Sequence, residues 1–259
     1  MRRLLIYGLT ALGMAGTWHA WAVGLRNDEP AEPASGVTQY GSIRETLRDG
    51  QTEARVALVD VISGQNNFIA VGAIAGLEGE ITIVGEDVWV TRVSEGAPET
   101  SGPDVVDEDK ATLLTAITVP AWSTEESHTA QESLRAFIES LAHDNGLDLH
   151  SPFPFIIDAD SADLSLHVIN GRCPMSGAPK SPGTEPWRWS GDNVTDVRIV
   201  GVYARGQGGV MTHHGSPIHA HAIVSIDGRM LTAHIDEATL AGSISTQLPN
   251  PGTVEQTDE

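Results

Sequence analysis

Apolar and polar positions along this chain alternate with period two or gather into short β-branched blocks, and a helical period of 3.6 stands out most clearly at one place. Ala54–Ile62, Glu80–Val90, Leu113–Val119, Phe153–Ile157, Leu164–Asn170, Asp196–Ala204, Pro217–Ile226 and Arg229–Ile235 read as strands, the second carrying a hairpin turn at Gly85-Glu86-Asp87. The helix is marked by Leu134, Phe137, Ile138 and Leu141 at i, i+3, i+4 and i+7. A capping-box pattern, Ser123-x-x-Glu126, opens it and Asn145-Gly146 closes it. Its single apolar face predicts packing on a sheet. The expected fold is therefore α+β, mixed β-sheets with few helices. Ser94–Lys110 reads as an acidic Gly/Pro loop. Pro174–Asp192, which includes Trp187 and Trp189, reads as a long loop of the kind that serves as a functional lid or stays disordered.

The ends of the chain have a different character. Arg2-Arg3, an apolar run from Leu4 to Gly16 and the small-residue pattern Ala20-Trp21-Ala22 match a secretory signal over 1–22, which predicts an extracytoplasmic (periplasmic or secreted) mature protein. An uncleaved N-terminal anchor is the alternative, and no other stretch is apolar and long enough to span a bilayer. Residues 23–38 are polar and Pro-rich and read as a flexible leader, 39–248 as the domain, and 249–259 as a polar, acidic tail. The 15 Lys+Arg against 35 Asp+Glu give a formal charge of −20. No basic cluster follows residue 3, which argues against a nucleic-acid partner. The lone Cys173 excludes an intrachain disulfide and any cysteine-rich metal site. Asn193-Val194-Thr195 is a glycosylation sequon.

Chemistry concentrates in the last strands. Asp227-Gly228 is a preferred two-residue hairpin turn, so Ile226 should pair with Arg229, which sets His221 opposite His234 and His219 opposite Asp236. Strand alternation then projects His219, His221 and His234 from one side, the directly paired Cβ atoms about 5 Å apart. Ile218, Ala220, Ala222 and Val224, with Leu231, Ala233 and Ile235, give the other side a uniformly apolar surface, whereas a one-residue slip would turn the histidines into the core. Three imidazoles with a position left open are the ligand set of catalytic zinc, and the same nitrogens suit iron, copper or nickel. The competing structural role is that of polar histidines on the solvent side of a hairpin. His213-His214 reads as a loop pair, and His128, His143, His150 and His167 as ordinary structural histidines.

Several segments resemble the alpha-acetolactate decarboxylases, exported or cytosolic zinc enzymes, over most of the chain after the leader. Gln39-Tyr40-Gly41-Ser42-Ile43 with Leu47-Arg48-Asp49-Gly50 is similar to the family's opening segment, and Val71-Gly72-Ala73-Ile74-Ala75-Gly76-Leu77-Glu78-Gly79-Glu80 to its Gly-Thr-Phe-x-x-Leu-Asp-Gly-Glu block. Asn170-Gly171-Arg172-Cys173-Pro174 resembles the stretch around its active-site arginine, and His219-x-His221 with His234 resembles its zinc ligands. The resemblance implies zinc on His219, His221 and His234, Glu80 as an active-site carboxylate, Arg172 holding the substrate, a C-terminal glutamate matched by Glu255, and a homodimer. The chain departs from the family at two points. Ala73 stands where a threonine is usual, and His221 to His234 spans two residues more than the family's hairpin, which preserves strand parity.

The implied reaction converts 2-acetolactate, a 2-hydroxy-3-oxo acid, to acetoin and CO2. A divalent metal acts as Lewis acid on the developing enediolate, so no organic cofactor is needed. Arg172 would orient the carboxylate bidentately, and Glu80 or Glu255 would carry the quenching proton. A different class of function, an exported metal or small-molecule binding module of the same fold that does not decarboxylate, is the alternative.

Overall fold

The computed structural model describes residues 36–62, 67–103, 108–123, 126–171 and 183–250. It is an α+β protein, dominated by two antiparallel sheets with few helices. The first sheet is built from β1 (Val37–Tyr40), β2 (Val56–Ala57), β3 (Phe68–Ile74), β4 (Glu80–Val84), β5 (Asp87–Ser94), β6 (Ala97–Ser101) and β7 (Lys110–Thr118), in the order β1-β7-β3-β4-β5-β6 with β2 also on β7. The second contains β8 (Glu126–Ser133), β9 (Phe153–Val168), β10 (Trp187–Tyr203), β11 (Ile218–Ile226) and β12 (Arg229–Gln247), in the order β11-β10-β9-β12-β8. Because β11 also pairs with β12, strands β9 to β12 close on one another.

Strand parity sorts the residues into layers. On β3, Phe68, Ala70 and Ile74 join Ile81 and Ile83 of β4 against helix α2 (Leu58–Ile62). Ile69 and Val71 face the other way and meet Ile156, Val200, Val202 and Ile223 of the second sheet. The far side of the second sheet, including Phe155, Leu166, Ala220, Ala222 and Leu231, packs on helix α3 (Leu134–Asp144) through Leu134, Phe137, Ile138 and Leu141. Residues of β4 and β11 that share parity with the inter-sheet positions, Glu80, Thr82, His219 and His221, are thereby carried between the sheets, where burial of polar groups demands partners.

Several elements differ from the sequence reading. Ala54–Ile62 is not one strand: only Val56–Ala57 pairs, and Leu58, Val61 and Ile62 occupy one turn of α2, the i, i+3, i+4 spacing prevailing over β-branched composition. The helix begins at Leu134 with Ser133 as N-cap, accepting from the Ala136 N–H at 3.3 Å. Residues 126–133 instead pair with β12, and the Ser123 hydroxyl expected to open the helix accepts from the Leu248 N–H at 3.1 Å. Ser94–Lys110 contains β6, because Glu95 and Gly96 both have positive φ, 50° and 81°, and make a tight hairpin turn. Trp187 to Asp192 belong to β10 rather than to a loop, paired with Val168 to Leu164 as far as Gly191. The segments on either side of residues 158–163 are one strand, β9, and β12 runs twelve residues past Ile235. β1 pairs with β7 from Val37 onward, two residues before Gln39.

Candidate metal centre

The hairpin of β11 and β12 turns at Asp227 and Gly228, with φ of 51° and 74°, and its register pairs Ile226 with Arg229 and His221 with His234. His219, His221 and His234 consequently lie on one face. It is not a solvent face: the three residues are 4%, 0% and 8% exposed, sealed by the first sheet. Each offers a ligand atom within 4.8 Å of the others, and the ring centroids lie 5.2 to 5.6 Å apart. The described residues thus hold a buried histidine group close enough to grip one metal ion.

What surrounds the rings decides which nitrogens point inward. His219 Nδ1 lies 3.1 Å from the Met211 carbonyl, which can only accept, so Nδ1 carries the proton and Nε2 the lone pair. His221 Nδ1 meets Thr82 Oγ1 at 3.0 Å, and that hydroxyl is in turn bonded to Thr232 Oγ1. His221 Nε2 is fully buried with no hydrogen-bond partner. An orphaned imidazole nitrogen costs about 1–3 kcal/mol, and a cation coordinated there removes that cost. Burial first, and the neighbouring His213 next, push His219 down to about 3. Burial likewise holds His221 and His234 well below the usual histidine range. All three are therefore neutral at pH 7, the form that binds metal. The donor set fits zinc or another imidazole-binding divalent ion.

Glu80 opens β4 and is 3% exposed. Its Oε1 accepts the Ile169 N–H at 3.1 Å, and its Oε2 lies 3.6 Å from His221 Nε2. Burial raises this carboxyl to about 7 against the opposing pull of His167 and the Ile169 N–H. A small cavity of about 30 Å³ touches Ala73, Glu80, His167, His213, His219 and His234. Ala73 is the direct strand partner of Glu80, so the residue that departs from the family pattern fronts the same cavity.

Asp236 is not opposite His219. The hairpin pairing ends at His221 and His234, the β12 register shifts between Ile235 and Glu237, and Asp236 turns to His167, Oδ1 to Nδ1 at 2.9 Å. His167, read from the sequence as an ordinary structural histidine, is 2% exposed and its ring lies 4.7 Å from that of His234. The alternation Leu164, Leu166, Val168 on the α3 side already placed His167 on the opposite face, but its pairing with His234 needed the β9–β12 register. His213, taken for a loop residue, stands edge-on to His234 at 5.5 Å. His128 packs edge-on against Phe137, and His143 and His150 sit on the surface. Arg172 and Glu255 lie outside the described residues, as do 1–35, which hold the signal-like segment and most of the leader, and Cys173. The chain before Arg172 is tethered by the Gly171 N–H to the Leu77 carbonyl at 2.7 Å.

No family model and no curated protein matches this sequence. Solved structures do match. The alpha-acetolactate decarboxylase of Bacillus subtilis strain 168 superposes with a TM-score of 0.63 at 16% identity, over 82% of this chain and 84% of that one. The acetolactate decarboxylase of Bacillus subtilis subspecies spizizenii gives 0.61 at 16% identity, over 82% and 85%. A Staphylococcus aureus protein of unknown function similar to alpha-acetolactate decarboxylase gives 0.59 at 12% identity, over 82% and 84%. The structural neighbours of this chain are the alpha-acetolactate decarboxylases, and it has their fold.

Proposed function

We propose that this chain is a metal-dependent carboxy-lyase that converts 2-acetolactate to acetoin and CO2. The observation that carries the proposal is the buried His221 Nε2, left without a partner beside His219, His234 and Glu80. The shared fold supports the same reading. His219, His221 and His234 would hold the metal, zinc first among the candidates. When bound, the ion supplies a Lewis acid to the substrate's oxygens. Glu80, with its carboxyl raised to about 7, is half protonated near neutral pH and is therefore suited to deliver the proton that replaces the lost carboxylate. The Ile169 N–H holds Oε1, leaving Oε2 turned toward His221. Closure by the first sheet keeps water from competing for that proton. Arg172, from its sequence context, would clamp the substrate carboxylate, and Glu255 would be a second carboxyl. Export through residues 1–22 and a homodimer belong to the same proposal.

A second reading, a metal-binding module without lyase activity, draws on the cavity. Its volume of about 30 Å³ falls far below the few hundred Å³ usual for small-molecule sites, and Ala73 removes a hydroxyl from its wall. The two readings separate in one experiment. The full chain is loaded with zinc, given racemic acetolactate and assayed for acetoin, with His221→Ala as control. Metal-dependent acetoin that disappears in the control is the expected result. Bound metal without acetoin would overturn the lyase reading in favour of the module.

A further inference from the structure

We propose that His167 is a fourth imidazole donor of the metal centre, held in place by Asp236; the proposal rests on the metal-binding reading above. Four observations carry it. First, the side chain is buried and borders the same cavity as His219, His234 and Glu80. Second, His167 bears an orienting bond like that of His219. Its Nδ1 lies 2.9 Å from a carboxylate, Asp236 Oδ1, whose other oxygen accepts from Arg188 Nη1 at 3.2 Å. An ionised carboxylate only accepts, so the proton is on Nδ1 and the Nε2 lone pair is free. Metal-binding histidines typically have this arrangement, their second nitrogen donating to a carboxylate or carbonyl, and His219 shows it with the Met211 carbonyl.

Third, the two oxygens of Glu80 face two Nε2 atoms, Oε2 that of His221 at 3.6 Å and Oε1 that of His167 at 4.0 Å, so both nitrogens converge on one carboxylate. Fourth, the position is fixed by the sheet. Arg188 pairs with His167, His167 with His234 and His234 with His221, a single row across β10, β9, β12 and β11. His234 links two sets of ligand atoms that each lie within 4.8 Å of one another, one with His219 and His221 and one with His167 and Asp236, so His167 reaches the ion of the first set by turning its ring toward His234.

This donor count bears on the choice of ion. Four nitrogens fill the four positions that zinc usually uses. An ion that accepts six ligands, such as Fe2+, Co2+ or Ni2+, takes the same four imidazoles and keeps two positions for a chelating hydroxy-ketone. Zinc would have to expand to five ligands to admit a substrate oxygen as well, whereas an ion of the second kind would not.

The test is made on the full chain, metal-free, titrated with Co2+ and with Zn2+, and on the His167→Gln, Asp236→Ala and His221→Ala variants. X-ray absorption at the cobalt edge counts coordinated imidazoles. The expected result is four imidazoles in the unaltered chain and three in His167→Gln, with Co2+ binding weakened at least tenfold. Asp236→Ala, which leaves the buried ring in place, should weaken it roughly 10- to 100-fold. Thermal unfolding of the metal-free proteins separates a folding defect from loss of a donor. Three imidazoles in the unaltered chain, or Co2+ affinity within twofold in both His167→Gln and Asp236→Ala while His221→Ala abolishes binding, would overturn the assignment of His167 alone. Absence of Co2+ and Zn2+ binding in the unaltered chain would overturn the metal reading together with it.

Discussion

Glu80 concentrates the chemistry of the site in one carboxyl, and its environment makes opposite demands on function and stability. Burial raises it from 4.5 to about 7, so the folded chain binds a proton there that the unfolded chain has released. In the metal-free protein this contribution is complete below about 4.5 and declines as pH rises to about 7, by on the order of 3 kcal/mol for a shift of this size. Glu80→Gln should remove that decline, visible in urea midpoints measured between pH 5 and 8. In the loaded protein the same substitution should lower acetoin turnover at least 100-fold while bound metal stays stoichiometric. The histidines work in the reverse sense. His219 falls to about 3, with His221 and His234 also lowered, all by burial first, so their contribution is full above about 6.5 and is lost as pH falls toward 3. Chelator-treated protein should accordingly unfold in mild acid, followed by circular dichroism, and metal loading should move that transition to lower pH.

At the scale of elements, two close approaches hold the site together. Gly72 of β3 touches β7 so closely that a Cβ would lie 2.0 Å from the Leu113 carbonyl oxygen, a backbone atom that cannot swing away. Gly72→Ala should therefore push β3 and β7 apart beside the cavity and cost about 1–3 kcal/mol, read from the urea midpoint, with weaker metal retention. The β11–β12 hairpin shows why part of the site was legible without a structure. Asp227-Gly228 sets a register, and alternation then dictates that His221 faces His234. Local rules of this kind stop where pairing is between distant strands. Nothing near His167 in sequence says that it will lie beside His234, and nothing near Asp236 announces the register shift that turns it to His167. The missed β6 and the misplaced start of α3 have a different cause: Glu95-Gly96 was hidden within an acidic stretch, and a capping-box pattern at Ser123 competed with a sheet edge that only β12 could supply.

For the molecule as a whole, the histidines come from one sheet and Glu80 and Thr82 from the other, so a bound ion touches the seam between them. An ion at 100 times its dissociation constant should add about 2.7 kcal/mol of stability. The expected observation is a rise in Tm on metal addition that EDTA reverses and that His221→Ala lacks. One more connection runs through the first helix, α1 (Ile43–Leu47). The N–H groups of Ile43 and Arg44 bind the carbonyls of Val210 and Gly209, in the same short segment whose Met211 carbonyl orients His219. The beginning of the described chain and its last third thus meet at a single ligand. Contacts so distant along the chain form slowly, because a long loop must close before they return any energy. During refolding the nitrogen of His219 should be aimed only after most of the architecture exists, and the ion, arriving late, becomes a timekeeper: the interval between recovery of sheet signal and capture of Co2+ measures how long these two distant segments take to find each other.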